Sequence, residues 1–302
     1  MEQRIYGNGK LLLTGEYLVL DGATALALPT RFGQEFIITP HAERVVRWRS
    51  RDADHGIWFE ATFTWEEIAS GQAETDDPVA LTLARILHAA HTMHRGALEA
   101  SGYDVVATLT FPRLWGLGSS STLLYAVAKW FDIDPYELSR RTLGGSGYDI
   151  ACAGSAHPIF YQLQDGQPVV TTAPFQPVFA EHLYFVYLNQ KQDSRASIAH
   201  YRNRRQATAR ELQMITDISH ALVHTGKLDN FMSLLVEHEE LLSGVLGWDP
   251  IQKRQFRDFK GVIKSLGGWG GDFILAATQE DPHAYFQDRG FETIVPYRDM
   301  IL

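Results

Sequence analysis

A chain of 302 residues, 45% hydrophobic, 12% aromatic and 21% charged, can bury one large core or two ordinary ones, and this composition excludes a disordered chain, a collagen-like repeat and a coiled coil. With 27 Lys and Arg against 36 Asp and Glu the net charge is −9, which argues against nucleic acid as a partner, because phosphate backbones are bound by basic faces. No apolar run approaches the roughly 20 residues of a membrane span, Met1-Glu2-Gln3-Arg4 lacks a secretory profile, and Cys152 is the sole cysteine, so the expectation is a cytoplasmic protein with small-molecule partners and no membrane.

In chain order, the apolar runs Leu11 to Leu13 and Tyr17 to Leu20 flank Thr14-Gly15-Glu16 and precede Asp21-Gly22, a pattern of short strands around tight turns. Period-two alternation over Glu35 to Thr39, Arg44 to Ser50 and Ile57 to Trp65 predicts a mostly antiparallel sheet with one wet face. Val79 to His94 reads as a helix whose buried face carries Val79, Leu83, Ile86, Leu87 and Ala90. A strand over Tyr103 to Phe111 then leads through Pro112 to Ser121 into a helix with Leu123, Leu124, Val127 and Phe131 on its apolar stripe. Further elements are a helix over Pro135 to Thr142, a hairpin of Ile159 to Leu163 with Val169 to Thr172 around Asp165-Gly166, and a strand over His182 to Leu188. Helical patterns cover Ser197 to Thr225, Leu228 to Leu246 and Pro250 to Lys264, and Phe273 to Ala277 closes as a strand. The resulting fold class is α+β, with domains expected over 1–178 and 179–302.

The stretch from 112 to 122 sets two glycines and three serines before an apolar helix, so unpaired backbone N–H groups and the helix dipole converge where a phosphate could sit. It lacks the Gly-Lys-Ser/Thr ending of a Walker loop, and on spacing alone a serine capping a helix explains it better. His88, His91 and His94, and His220 with His224, read as solvated helix faces rather than metal ligands, and Cys152 as a small buried residue. Lys191 to Arg210 is the most basic stretch of an acidic chain; its later arginines read as an exposed helix face.

Pro112-x-x-x-Gly116-Leu117-Gly118-Ser119-Ser120 resembles the nucleotide-binding motif of the GHMP kinases, the family of galactokinase, homoserine kinase, mevalonate kinase and phosphomevalonate kinase. Gly7-Asn8-Gly9-Lys10 through Thr14-Gly15-Glu16-Tyr17-Leu18-Val19-Leu20-Asp21-Gly22 resembles the family's first motif. Gly145-Ser146-Gly147-Tyr148-Asp149-Ile150-Ala151 resembles its catalytic-aspartate segment, and matches a bacterial subgroup with a Gly-Tyr-Asp-Ile-Ala signature. Lys264 to Asp272 is similar to the C-terminal glycine-rich motif, with Leu266 in place of Ser or Thr and Trp269 in place of Gly. The helix Met232 to Leu246, with His238, looks like a family core helix.

The resemblance implies a GHMP kinase fold, with an N-terminal domain like domain 2 of ribosomal protein S5 and a ferredoxin-like C-terminal domain. It further implies ATP and Mg²⁺ as cofactors and a small anionic acceptor, phosphomevalonate- or mevalonate-like, in a monomer or homodimer. It assigns Asp149 and Lys10 to catalysis, and Gly116, Leu117, Gly118, Ser119, Ser120 and Ser121 to ATP. Substrate contacts fall to Glu16, Tyr17, Gly147, Lys191, Ser194, Arg195, Gly270 and Gly271, with a structural hydrogen bond as the competing role of Glu16. Metal ligands are Ser119, Ser120 and Glu137, the last also readable as a surface glutamate. Two other readings share the fold: a diphosphomevalonate decarboxylase-like enzyme, and a non-catalytic nucleotide-binding relative to which the departures at Leu266 and Trp269 point.

Overall fold

The computed structural model describes residues 1–98, 101–190, 194–204, 206–269 and 272–302. In chain order its elements are β1 (Gln3–Leu12), β2 (Ala25–His41), β3 (Val45–Arg51), β4 (Ile57–Thr64), α1 (Trp65–Ser70), α2 (Pro78–Met93), β5 (Gly102–Leu109), α3 (Ser119–Phe131), α4 (Pro135–Arg141) and α5 (Tyr148–Ala153). There follow β6 (Ile159–Gln164), β7 (Gln167–Thr172), β8 (Leu183–Tyr187), α6 (Ser194–Asn203), α7 (Ala209–Val223), α8 (Leu228–Leu246), α9 (Ile251–Gln255), β9 (Val262–Ser265), β10 (Phe273–Ala277), α10 (His283–Gln287), β11 (Ile294–Pro296) and α11 (Tyr297–Met300). Packing divides the chain into two compact units, one of residues 1–9, 32–113 and 117–154, the other of residues 10–31, 114–116 and 155–302.

In the first unit the strand order is β4-β3-β5-β2. The half of β2 from Gln34 to His41 pairs antiparallel with β5, from Gln34 opposite Leu109 to His41 opposite Gly102, and β3 lies parallel to the other edge of β5. That parallel pair is the exception in a mostly antiparallel sheet, because α1 and α2 intervene between β4 and β5 and return the chain to the same end of the sheet. The alternation has its expected use: Phe36, Ile38, Val46, Trp48, Phe63 and Val105 point to one face and are buried against α2 and α3. On α2 the buried stripe is Ala80, Leu83, Ala84, Ile86, Leu87 and Ala90, whereas Val79 is 41% exposed. Pro78 begins the helix and Asp77 Oδ1 caps it by accepting from the amides of Val79 and Ala80, so the stripe starts one residue later than the pattern implied.

In the second unit, the early half of β2 pairs with β6, Ala25 opposite Tyr161, and β6 with β7 forms the hairpin around Asp165-Gly166. A separate four-stranded antiparallel sheet runs β11-β8-β10-β9, and Val186, Ile263, Ile274 and Ala276 from it pack with Phe256, Phe259 and Phe286. Three expectations are corrected here. Tyr17 to Leu20 is no strand: Tyr17 (φ 64°, ψ −45°) is the centre of a tight turn in which the Leu18 amide donates to the Glu16 carbonyl at 2.7 Å, and left-handed Gly22 (φ 96°) ends the single 3-10 turn over Leu18–Asp21. The helix expected over Pro250 to Lys264 stops at Gln255, because Phe256 and Phe259 turn into the core and Val262 to Ser265 joins the sheet as β9. The helix expected over Ser197 to Thr225 is two helices, α6 and α7.

The break before α7 is made by a capping box. Thr208 Oγ1 accepts from the Glu211 amide at 3.3 Å, and Glu211 Oε2 accepts from the Thr208 amide at 2.7 Å. Replacing Thr208 by Ala removes the first of these and is expected to lower unfolding free energy by about 1 kcal/mol in a urea titration; an unchanged midpoint would show that α7 starts without it.

Candidate active site

Within the first unit the helix starts differ in kind. Thr64, Asp77 and Asp134 cap α1, α2 and α4 with side-chain oxygens, whereas α3 and α5 begin from left-handed glycines, Gly118 (φ 97°) and Gly147 (φ 89°), with no side-chain cap. The Ser121 hydroxyl donates to the Gly118 carbonyl at 2.8 Å, and Thr122 Oγ1 donates to Gln34 Oε1 at 2.7 Å, so both are committed to structure. Ser119 is half-buried and Ser120 exposed, and the first amides of α3 point out of the helix where its dipole is positive. Leu117 is fully buried, so its side chain serves packing.

Asp149 lies in the first turn of α5, which packs against α3. It is half-buried, and its Oδ1 accepts from the Ile150 amide at 3.0 Å. Ile150, Ala151, Cys152 and Ala153 behind it are buried, which fixes the turn that presents the carboxylate and bears out Cys152 as a small core residue. Burial, with Asp134, Cys152 and Asp149 nearby, pushes the Tyr136 hydroxyl up to about 12. Glu137 is held on its own helix by Arg141 at 2.7 Å and by Arg140 at 2.7 Å, and these guanidiniums keep its carboxyl below the usual range.

In the second unit Lys10 Nζ donates to the Gly116 carbonyl at 3.0 Å, so the lysine of the first motif is tied to the opening glycine of the loop. Gly116 is left-handed (φ 69°), and a Cβ there would collide with the Asp272 carboxylate. The preceding residues are pinned by Tyr187, whose hydroxyl donates to the Leu114 carbonyl at 3.0 Å, and by Trp115, which packs edge-on to Phe273.

The same unit buries four ionisable side chains together: Glu16, His238, Glu239 and Lys264, each 3% exposed or less. Lys264 Nζ donates to Glu16 Oε1 and, at 2.8 Å, to the Ser265 carbonyl, and lies 3.7 Å from Glu239 Oε1. His238 Nε2 accepts from the Gly15 amide at 3.1 Å, and burial with the Lys264 charge keeps the ring neutral. Its 3.3 Å approach to Glu16 Oε2 therefore sets two acceptors face to face and is no ion pair. Burial raises Glu16 against the opposing pull of Lys264, and raises Glu239 to about 7. Tyr17 is buried beside this cluster; its hydroxyl accepts from the Trp269 amide at 3.0 Å, and its ring lies 5.7 Å from that of Tyr201.

Glu16 and Tyr17 are thus engaged inside the second unit, Lys10 is joined to Gly116, and Gly147 opens the turn that carries Asp149. Lys191, Gly270 and Gly271 lie outside the described residues, and Ser194 and Arg195 are described only as backbone of α6. Sequence reasoning missed Lys264 and Glu239, although a lysine inside Val262-Ile263-Lys264-Ser265, an otherwise apolar strand, is a signal that its charge has a buried partner. The histidines expected on solvated faces are partly structural: His88 Nδ1 bonds the Ile68 carbonyl at 2.8 Å, His94 Nδ1 the Phe131 carbonyl at 2.6 Å, and the His220 ring packs 4.4 Å from Phe160.

No sequence-family model matches the chain, and no curated protein matches it in sequence. Solved structures do match in fold. The Lin0012 protein from Listeria innocua aligns at TM-score 0.73 and 16% identity, over 98% of this chain and 97% of that one. Phosphomevalonate kinase from Streptococcus pneumoniae, in complex with phosphomevalonate and AMPPNP, aligns at 0.67 and 16%, over 100% and 98%. Mevalonate kinase from Methanococcus jannaschii aligns at 0.65 and 14%, over 96% and 94%.

Removing one partner of the buried ion pair strands the other. Lys264→Met is expected to cost about 3–5 kcal/mol of unfolding free energy, and the double variant Glu16→Gln with Lys264→Met to recover most of it. Urea denaturation of the three proteins checks this; a double variant no more stable than Lys264→Met contradicts the pairing.

Proposed function

From a chain with the GHMP kinase fold, we propose an ATP-dependent kinase that transfers the γ-phosphoryl group to a small anionic acceptor, phosphomevalonate- or mevalonate-like. The observation that carries the reading is the start of α3: a helix of 13 residues with no side-chain cap, headed by left-handed Gly118 and followed by accessible Ser119 and Ser120. Such an N-terminus offers convergent amides and a positive dipole end to phosphate oxygens. The fold likeness to proteins described as mevalonate and phosphomevalonate kinases supports the acceptor class.

In this reading the backbone from Gly116 to Ser121 would hold the ATP phosphates, and the hydroxyls of Ser119 and Ser120 would hold Mg²⁺. Mg²⁺, when bound, supplies charge neutralisation across the phosphate oxygens. Glu137 would join it only by leaving Arg140 and Arg141, and no group of three or more His, Cys, Asp or Glu that could hold a metal stands together among the described residues. On the protein side, the two hydroxyls would then be the groups that hold it. Lys10, beside Gly116, neutralises charge that develops on the transferring group.

Asp149 serves the acceptor. Toward an alcohol it receives the proton late in transfer; toward a phosphate monoester, already anionic at neutral pH, it only orients. Gly147, Glu16, Tyr17, Lys191, Ser194, Arg195, Gly270 and Gly271 are assigned to the acceptor side, Glu16 acting through the loop that Lys264 anchors. Leu266 and Trp269, 2% and 5% exposed, are core residues, so these departures are used for packing.

The test is a coupled ADP-release screen with mevalonate, phosphomevalonate, homoserine and sugars, read alongside CO₂ release. ADP with CO₂ evolution identifies the decarboxylase-like reaction, and ATP binding without turnover identifies a non-catalytic relative. Gly118→Val forces a β-branched residue into a left-handed position and is expected to abolish ATP binding in a folded protein. Asp149→Asn is expected to cost on the order of 10²–10⁴ in kcat with an alcohol acceptor and far less with a phosphate acceptor; full activity on every accepted substrate would remove Asp149 from the site.

A further inference from the structure

The buried cluster in the second unit carries more charge than its packing needs. An ion pair of this kind can often be replaced by apolar residues without loss of stability, so its presence calls for a role that geometry can identify. Its members come from three places: Glu16 from the turn after β1, His238 and Glu239 from α8, and Lys264 from β9. Two segments leave it. One is Thr14 to Tyr17, held by Lys264 on Glu16 and by His238 Nε2 on the Gly15 amide; the other is Ser265 to Trp269, held by Lys264 on the Ser265 carbonyl. The segments meet again where the Trp269 amide donates to Tyr17 Oη at 3.0 Å.

Charge balance around Lys264 is incomplete. One ammonium faces two carboxylates, while neutral His238 already uses Nε2 as an acceptor. Among the described residues no hydrogen bond closes on Glu16 Oε2, Ser265 Oγ or His238 Nδ1, while the Ser265 amide and the Trp269 indole N–H lie toward the Glu239 carboxyl. Electroneutrality in such a core requires one proton on the two carboxylates, and Glu16, in direct contact with Lys264, is the better placed to remain ionised. Below neutral pH the proton is therefore assigned to Glu239.

We propose that Lys264 is a positioning residue for the acceptor side of the site, and that one proton on Glu239 sets how firmly it holds Thr14 to Tyr17 against Ser265 to Trp269. Its kinetic consequence rests on the kinase reading above. With Glu239 protonated, Lys264 serves Glu16 alone. When Glu239 gives its proton to water, Lys264 is drawn between two carboxylates, the core acquires a net negative charge, and the grip on Glu16 slackens. The groups facing Glu239 are Lys264 from β9, Glu16 from the turn, Ser265 and Trp269 after β9, and His238 on its own helix. Glu239 is also among the residues lining a groove of about 260 Å³ with Glu240, Gln252, Lys253 and Arg257, where Lys253 is paired with Glu240 at 2.5 Å. Burial raises Glu239 to about 7, so the change falls in the neutral range.

Amide exchange by NMR, corrected for intrinsic rates, reads the grip without reference to activity. Between pH 6 and 8.5 the protection of the Gly15 and Trp269 amides is expected to fall about tenfold in the wild type and to stay level in Glu239→Gln. In the kinase assay the KM for the acceptor rises over the same interval while the KM for ATP holds, and Glu239→Gln flattens the acceptor profile. Lys264→Arg keeps part of the positioning, and the folded Glu16→Gln/Lys264→Met pair has a raised acceptor KM at every pH. Equal pH dependence of protection in wild type and Glu239→Gln overturns the proposal, as does a matching rise in the KM for ATP. If the wild type phosphorylates no acceptor, the kinase reading fails, and the exchange profiles of these two proteins alone support or overturn the proton-set grip.

Discussion

An α-helix begins with backbone N–H groups that have no partner inside it, and the way a chain disposes of them decides what the helix can bind. In the first unit three helices spend theirs on Thr64, Asp77 and Asp134. Helix α3 does not: Gly118 takes the left-handed conformation that only glycine adopts cheaply, the Ser121 and Thr122 hydroxyls turn inward, and the remaining amides are left facing out. The buried stripe of α3, Leu124, Val127 and Phe131, packs into a core built on the sheet, so the open end is fixed in place by apolar contacts remote from it. The open end of the helix is thus sustained by packing along its length.

In the second unit positioning is electrostatic. Lys264 reaches Glu16 inside the core, and the positive-φ residues Gly15 and Tyr17 are held where no regular element would hold them. A salt bridge in water is worth little, but one removed from water is costly to break because the survivor is an unpaired buried charge. That asymmetry makes the cluster a fastening for the turn and gives its proton count leverage over the loops it joins.

Much of this was legible in the sequence where local and tertiary preferences agree. The alternation of β2, β3 and β4, the strand–glycine–helix passage into α3, and the Asp165-Gly166 hairpin all follow from period and turn chemistry. The capping signature Thr208-Ala209-Arg210-Glu211 was equally legible and would have split the long helix expected over Ser197 to Thr225. Other features were not local. Val262 to Ser265 continues a helical pattern on paper and becomes a strand because β10 supplies the pairing. The turn at Tyr17 depends on a positive φ that an aromatic residue rarely adopts, and the Lys264 cluster unites residues 16, 238, 239 and 264, a combination that no spacing rule relates. The motif resemblance singled out Lys10, the glycine loop and Asp149 as candidates, whereas contact partners such as Asp272 beside Gly116 emerged only from the fold.

The central claim is that phosphates of ATP rest on the open end of α3, and the most direct measurement is the amide ¹H–¹⁵N spectrum of the chain titrated with MgATP. The account predicts that the largest saturable shifts belong to Gly118, Ser119 and Ser120, since charge-assisted hydrogen bonds to those N–H groups form on binding. Saturable MgATP binding that leaves these three amides unmoved, with the shifts clustered elsewhere, would contradict it.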